Sequence, residues 1–160
     1  MATKQIIFVV ETDNRSRTDD VYIIHLLKSC FDLTNNDVTY KFIHLGAKTK
    51  YNKVNVQKKI KYYVNQNKKG SNHIIICMDT DNIEFDVSEV KFLKEVENYC
   101  SSNNYEFVWF CREIEEVFLD KIIDDNEKIK ESIKSAKSNY LSKWTRRLLP
   151  QYNRWEMNCT

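Results

Sequence analysis

His73-Ile-Ile-Ile-Cys-Met-Asp-Thr-Asp81 decides the reading of this chain. Ile74–Met78 is an unbroken apolar run, rich in β-branched side chains. Such a run makes a strand only where both of its faces are covered, as in the middle of a parallel sheet. It ends on two carboxylates, Asp79 and Asp81. In extended chain, residues i and i+2 point to the same side, so these two acids can share one ligand.

The same pattern recurs on either side. Ile6-Ile-Phe-Val-Val10 is a second apolar run, and it ends on Glu11. Thr39–Leu45 and Glu106–Cys111 read as two further strands. Helical patterns separate them. A helix capped by Asp19 or Asp20 carries Val21, Ile23, Ile24, Leu26, Leu27 and Phe31. Val54–Asn67 places Val54, Ile60 and Val64 among lysines, and Lys68-Lys-Gly-Ser71 stops it. Val87–Cys100 is a helix with Val90, Leu93 and Val96 on its apolar face and Ser88 as its candidate cap. Ile114–Ile123 is amphipathic.

Strand and helix alternate four times. This order predicts an α/β fold, a four-stranded, mainly parallel sheet with flanking helices of the Rossmann-like kind, over residues 1–125. From 126 to 160 the composition turns Lys- and Ser-rich, with Trp144, Arg146-Arg147 and Trp155 near the end. That stretch is expected to be a basic C-terminal helical appendage.

Composition removes several function classes. The chain has 160 residues, one domain's worth, with 2 Gly and 1 Pro. With only Gly46 and Gly70, neither G-x-G-x-x-G nor G-x-x-x-x-G-K-[ST] can be written, so Gly-rich phosphate loops are excluded. The 5 cysteines are widely spaced without a C-x-x-C pair. They fit neither a zinc site nor a disulfide framework, and a reducing cytoplasm suits them. Met1–Gln5 is too short for a secretory leader, and no apolar run approaches the ~18 residues of a membrane span. The expected setting is cytoplasmic, with no membrane partner.

The acids at strand ends carry the chemical signal. In doubly wound sheets, ligands bind beyond the carboxyl ends of the strands, where the strand order reverses. If the first and third strands are neighbours, Glu11 faces Asp79 and Asp81. Three carboxylates so close repel one another unless a cation sits among them. Hard oxygen donors, with no His or Cys cluster nearby, suit Mg²⁺ or Mn²⁺. The competing reading makes each acid an ordinary helix cap or turn former.

Positive charge is segregated from these acids. No acid occurs from Tyr40 to Gly70, while Lys48, Lys50, Lys53, Lys58 and Lys59 fall there, interleaved with tyrosines. Lys143, Arg146 and Arg147 lie in the second basic block. Such blocks beside an acidic metal site suit a phosphodiester backbone, with nucleic acid as the partner. The alternative is a solvated helix face that serves solubility. The three histidines, His25, His44 and His73, have no metal-spaced partners and read as structural.

Ile6–Glu11 with Asp19-Asp20, followed by Ile74–Asp81, resembles the Toprim domain of primases, topoisomerases and the nucleases of the overcoming-lysogenization-defect and RloB-like groups. The likeness covers about residues 6–120. Those domains carry a Glu after the first strand and Asp-x-Asp after the third. This chain has Thr12 where the family usually has Gly, and a longer loop from Glu11 to Asp19. The resemblance implies a Mg²⁺-dependent nuclease with Glu11, Asp79 and Asp81 as catalytic metal ligands. Its nuclease members place an acid just after the fourth strand to complete a second metal position. Here Cys111-Arg-Glu-Ile-Glu-Glu116 offers Glu113 and Glu116, with Arg112 able to steady a phosphate. The family's company suggests antiviral defence or RNA processing, and a partner ATPase or a homo-oligomer. The rival expectation is a non-catalytic α/β module, receiver- or sensor-like, that binds protein or nucleic acid without cutting.

Overall fold

The computed structural model describes residues 4–30, 38–80 and 86–110, together with 114, 123, 124, 127, 128, 130, 131 and 134. The elements follow in the order β1 (Lys4–Val10), α1 (Thr18–Cys30), β2 (Val38–His44), a single 3-10 turn (Lys48–Lys50), α2 (Val54–Gln66), β3 (Ser71–Asp79), α3 (Val87–Asn103) and β4 (Glu106–Phe110). The four strands form one sheet in the order β2-β1-β3-β4, and every pairing is parallel. The α/β fold is therefore as the alternation of the sequence anticipates.

Why β1 and β3 are central follows from their side chains. Ile7, Val9, Val10 and Ile76 are 0% exposed. A strand with no polar face can hold its place only between two others with helices above and below. Alternation then sorts the residues. Ile7 and Val9 of β1 and Ile74, Ile76 and Met78 of β3 join Val56 and Ile60 of α2 and Val96 and Cys100 of α3 in one core. Phe8 and Val10 of β1 and Cys77 of β3 join Tyr22, Ile23 and Leu27 of α1 in the other. Ile114 and Ile123, from beyond β4, are buried in that second core too.

The strand order explains this sharing of faces. The chain steps from β1 outward to β2, then returns past β1 to β3 and on to β4. Right-handed crossovers in opposite directions put their helices on opposite faces. One helix covers one face and two cover the other, and the direction reverses between β1 and β3.

Helix ends follow local chemistry. Asp86, in extended backbone, caps α3 by accepting the Ser88 N–H at 2.8 Å. The cap is thus two residues ahead of the expected Ser88, whose own N–H and hydroxyl both donate to the Asp86 carboxylate. Asn104, at φ 57°, closes the same helix, and its N–H reaches back to the Cys100 and Ser101 carbonyls. The expected helix over Ile114–Ile123 and the appendage over 126–160 lie outside the described residues, apart from the single positions named above.

Candidate functional site at the carboxyl ends of β1 and β3

Pairing between β1 and β3 ends at Val9–Ile76. Beyond it, β1 stays with β2: the Leu45 N–H donates to the Val10 carbonyl at 2.9 Å, and the Gly46 N–H to the Thr12 carbonyl at 3.3 Å. On the other side β3 stays with β4. The Thr80 N–H and hydroxyl both donate to the Phe110 carbonyl, at 3.1 and 2.9 Å. Glu11 and Thr12 thus leave with β2, and Asp79 and Thr80 stay with β4, at the end of the sheet where a crevice forms in folds of this topology. This is the topological switch point of the sheet.

Asp79 is a half-buried residue. Its Oδ1 accepts the Ile114 N–H at 3.1 Å, so the chain leaving β4 fixes the orientation of the carboxylate. By strand alternation Asp79 follows Cys77 onto the α1 face. Glu11 is also half-buried, just past the end of β1, where the backbone bends out of the strand.

A third acid stands close by. Asp19, in the first turn of α1, is buried, and its Oδ2 accepts the Thr12 N–H at 3.4 Å. Burial holds its carboxyl above the ordinary carboxylate range, against the Thr12 hydrogen bonding that favours the charged form. Burial also pushes the Cys77 thiol well up, and the charges of Asp19 and Asp79 add to that shift. Cys77 is kept as an inert thiol.

The neighbouring acid, Asp20, is occupied by a histidine. His44 Nε2 lies 2.9 and 3.0 Å from the two Asp20 oxygens, with side-chain exposures of 7% and 13%. The pair ties the end of β2 to the start of α1, and His44 stacks on Phe42. His73 faces the Glu106 carboxylate at 3.3 Å on the exposed opposite end of the sheet.

Lysines approach from the other side. Lys48, in the turn after β2, donates to Glu89 of α3 at 2.6 Å, with side-chain exposures of 19% and 11%, and lies over the Phe92 ring. Lys50, Lys53, Lys58 and Lys59 are exposed, along the 3-10 turn and the outer side of α2. Lys48 thus differs from the other four lysines of that group in being held by an acid of the core.

The structure brings the strand ends bearing Glu11 and Asp79 together, with Asp19 beside them. Asp81, Arg112, Glu113, Glu116, Lys143, Arg146 and Arg147 lie outside the described residues. Among the described residues no group of three or more His, Cys, Asp or Glu side chains converges as a metal site. Glu11 and Asp79 are the described side chains that could hold a cation. Carboxylate oxygens are the donor type that Mg²⁺ takes, and a backbone N–H orients one of the two here. The roles of Asp19, Asp20 and Glu89 are not visible in linear spacing, since their partners lie in other elements. The one local signal is the Asp19-Asp20 doublet at a helix start.

No protein-family model matches the chain, and no curated protein matches it. Among the described residues no helix is long and apolar enough to cross a membrane.

Proposed function

We propose that this protein is a Toprim-like, metal-dependent nuclease that hydrolyses phosphodiester bonds of DNA or RNA. One observation carries the reading: β1 and β3 are parallel neighbours at the point where the strand order reverses, with Glu11 just past the end of β1 and Asp79 at the end of β3. Asp81, two residues past Asp79, completes the ligand set of this proposal, with Glu113 and Glu116 supporting a second position. A divalent cation, Mg²⁺ or Mn²⁺, would supply Lewis acidity at the phosphoryl oxygen and a lowered pKa for the attacking water. The protein's own work is then to hold the carboxylates in place and to bind the backbone. The Ile114 amide orients Asp79, and the exposed lysines of α2 meet the phosphates. Service in antiviral defence in the cytoplasm, alone or with a partner ATPase or a second copy, belongs to the same proposal.

The test uses labelled single- and double-stranded DNA and RNA with Mg²⁺, Mn²⁺ or EDTA. Cleavage should need the metal and should be lost in Asp79→Asn/Asp81→Asn. The same double variant should lose the thermal stabilisation that Mn²⁺ gives the parent. Cleavage that survives the double substitution refutes the site.

A second reading, a non-catalytic binding module, has its own support. Asp79 and Asp19 both accept backbone amides, of Ile114 and Thr12, and so stitch loops as structural acids do. Nucleic-acid binding without cleavage under any metal would favour it.

A further inference from the structure

Two helices share one core beneath the sheet, and their outer sides carry charge differently. On α3 the signs are mixed. Lys91, Lys94, Glu95 and Glu97 are exposed, and Lys94 pairs with Glu97 at 2.6 Å. Such mixing is what solubility asks of a surface. On α2 the sign is single. Lys58, Lys59 and Lys61 are exposed, and Val54–Gln66 contains no acid. Among the described residues none of these three lysines has an ion-pair partner.

This charge does not serve the helix. Lysines favour a last turn, where they meet the negative end of the dipole, yet the last turn of α2 has no base. Lys53 stands instead at the N-cap, with no side-chain capping bond and no acid in the first turn to offset it. Lys58 and Lys61, three residues apart, are neighbours of like charge and repel. A polyanion lying along α2 relieves that repulsion.

The helix also gathers the lysines around a ring. Val56 and Ile60 are buried, which turns Lys58 and Tyr62 outward at ~3.6 residues per turn. Tyr62 is 61% exposed. Helical side chains lean toward the N-terminus, so Tyr62 covers the turn that bears Lys58 and Lys59, its i−4 and i−3 neighbours. Its ring rests on that of Tyr63, with centroids 5.5 Å apart and planes tilted by 57°, and Tyr63 packs on the core. The neighbour steadies the Tyr62 ring while most of its surface stays in water.

We propose that the outer face of α2 is a docking surface for single-stranded nucleic acid, on which Tyr62 stacks a base while Lys58 and Lys59 hold the phosphates beside it. The inference rests on the nucleic-acid reading above and deepens it by naming single strands as the substrate class. Every base has a π-face, so stacking on tyrosine needs no particular sequence. It does need a base outside the stack of a duplex, whereas the lysines attract either form.

The test is fluorescence anisotropy in EDTA, over a range of salt, with a fluorescein-labelled single strand of about 20 nucleotides and the same sequence as a duplex. Tyr62→Ala should weaken single-strand binding about 10-fold and leave duplex binding within about 2-fold. Tyr62→Trp keeps a stacking face and should bind the single strand at least as tightly as the parent. Each lost phosphate contact lowers the slope of log K against log salt by about 0.7 on single strands, so Lys58→Ala/Lys59→Ala should lower it by about 1.4. Tyr62→Ala should leave that slope unchanged. These positions are exposed, so every variant should melt with the parent. Lys94→Ala should match the parent throughout. The surface is overturned if Tyr62→Ala binds the single strand like the parent, if it loses equally on both probes, or if the parent binds neither. Sedimentation with phosphatidylserine vesicles runs alongside, and binding to vesicles alone also overturns it. Cleavage is read separately with Mg²⁺ or Mn²⁺. The expected binding pattern without cleavage under either metal refutes the nuclease and leaves the surface standing. Cleavage with no effect of Tyr62→Ala on binding does the reverse.

Discussion

Replacing Lys48 by Met removes one charge from a pair that the fold has largely desolvated. The Lys48 Nζ is 2.6 Å from Glu89 Oε1, and the two side chains are 19% and 11% exposed. At an effective dielectric near 20, opposite charges about 4 Å apart attract by about 4 kcal/mol. Much of that is offset by the cost of removing both groups from water, so the intact pair contributes little net stability. Breaking it is different, because Glu89 is left buried and uncompensated. A fully buried remnant charge costs about 3–5 kcal/mol. The residual exposure here lowers that to about 2–3 kcal/mol, and Met preserves the apolar stem over Phe92. For a chain of this size the melting temperature should fall by roughly 4–12 °C. Glu89→Met in the same background should restore most of the loss, giving a coupling of about 2 kcal/mol. Urea unfolding followed by far-ultraviolet circular dichroism on the parent, both single variants and the double variant closes the cycle. A Lys48→Met variant within about 0.5 kcal/mol of the parent, or a double variant that simply sums the two losses, refutes the reasoning. In that event the Lys48–Glu89 pair would carry little of the fold's stability.

Asp19 should make stability fall as pH rises. Its folded carboxyl binds its proton more tightly than the unfolded one, so the folded state holds more protons above about pH 3.8, and stability declines until the folded group has ionised. Asp19→Asn, which keeps an acceptor for the Thr12 amide, should flatten the melting temperature between pH 4 and 7; an unchanged profile would show that the burial has no consequence. Asp13 and Asp86, whose carboxyls are held low by amides and hydroxyls, act in the opposite sense, and their contribution should vanish as pH drops below 3.8. His44→Phe preserves the stack on Phe42 but strands Asp20, and should cost about 2 kcal/mol in denaturant unfolding, with most of it returned by Asp20→Leu in the same chain. Gly46→Ala should cost about 1–2 kcal/mol through its left-handed backbone, while Gly46→Asn should be milder in the same assay.

The strands of this fold are legible because their physics is local. Ile74–Met78 and Ile6–Val10 have no polar face, and such segments can only be central in a parallel sheet. The edges differ: β2 is mostly half-buried and includes Lys41, and β4 is 5 residues long, as suits strands with one open side. The three helices are readable too, with ends within a few residues, but their apolar faces only in part: Val54 and Val90 are exposed, and Val56 is buried in α2 instead. The site is less so. That Glu11 and Asp79 flank an opening depends on β1 and β3 being neighbours, which strand order decides and no local pattern states. The buried pairs are harder still. His44 with Asp20 and Lys48 with Glu89 join different elements, and in sequence each member is an ordinary polar residue.

The order of the strands also governs when the crevice can exist. Its two lips belong to strands separated in sequence by all of α1, β2 and α2, and these must close as one large loop before β3 can dock beside β1. Loop closure of that length is entropically costly and slow compared with forming any one helix. No partly folded species that lacks β3 has a second lip, so the site exists only once β3 has docked beside β1. A ligand that binds across it would select the completed fold and slow unfolding, so the extension of the unfolding half-life by such a ligand would report directly on the β1–β3 junction.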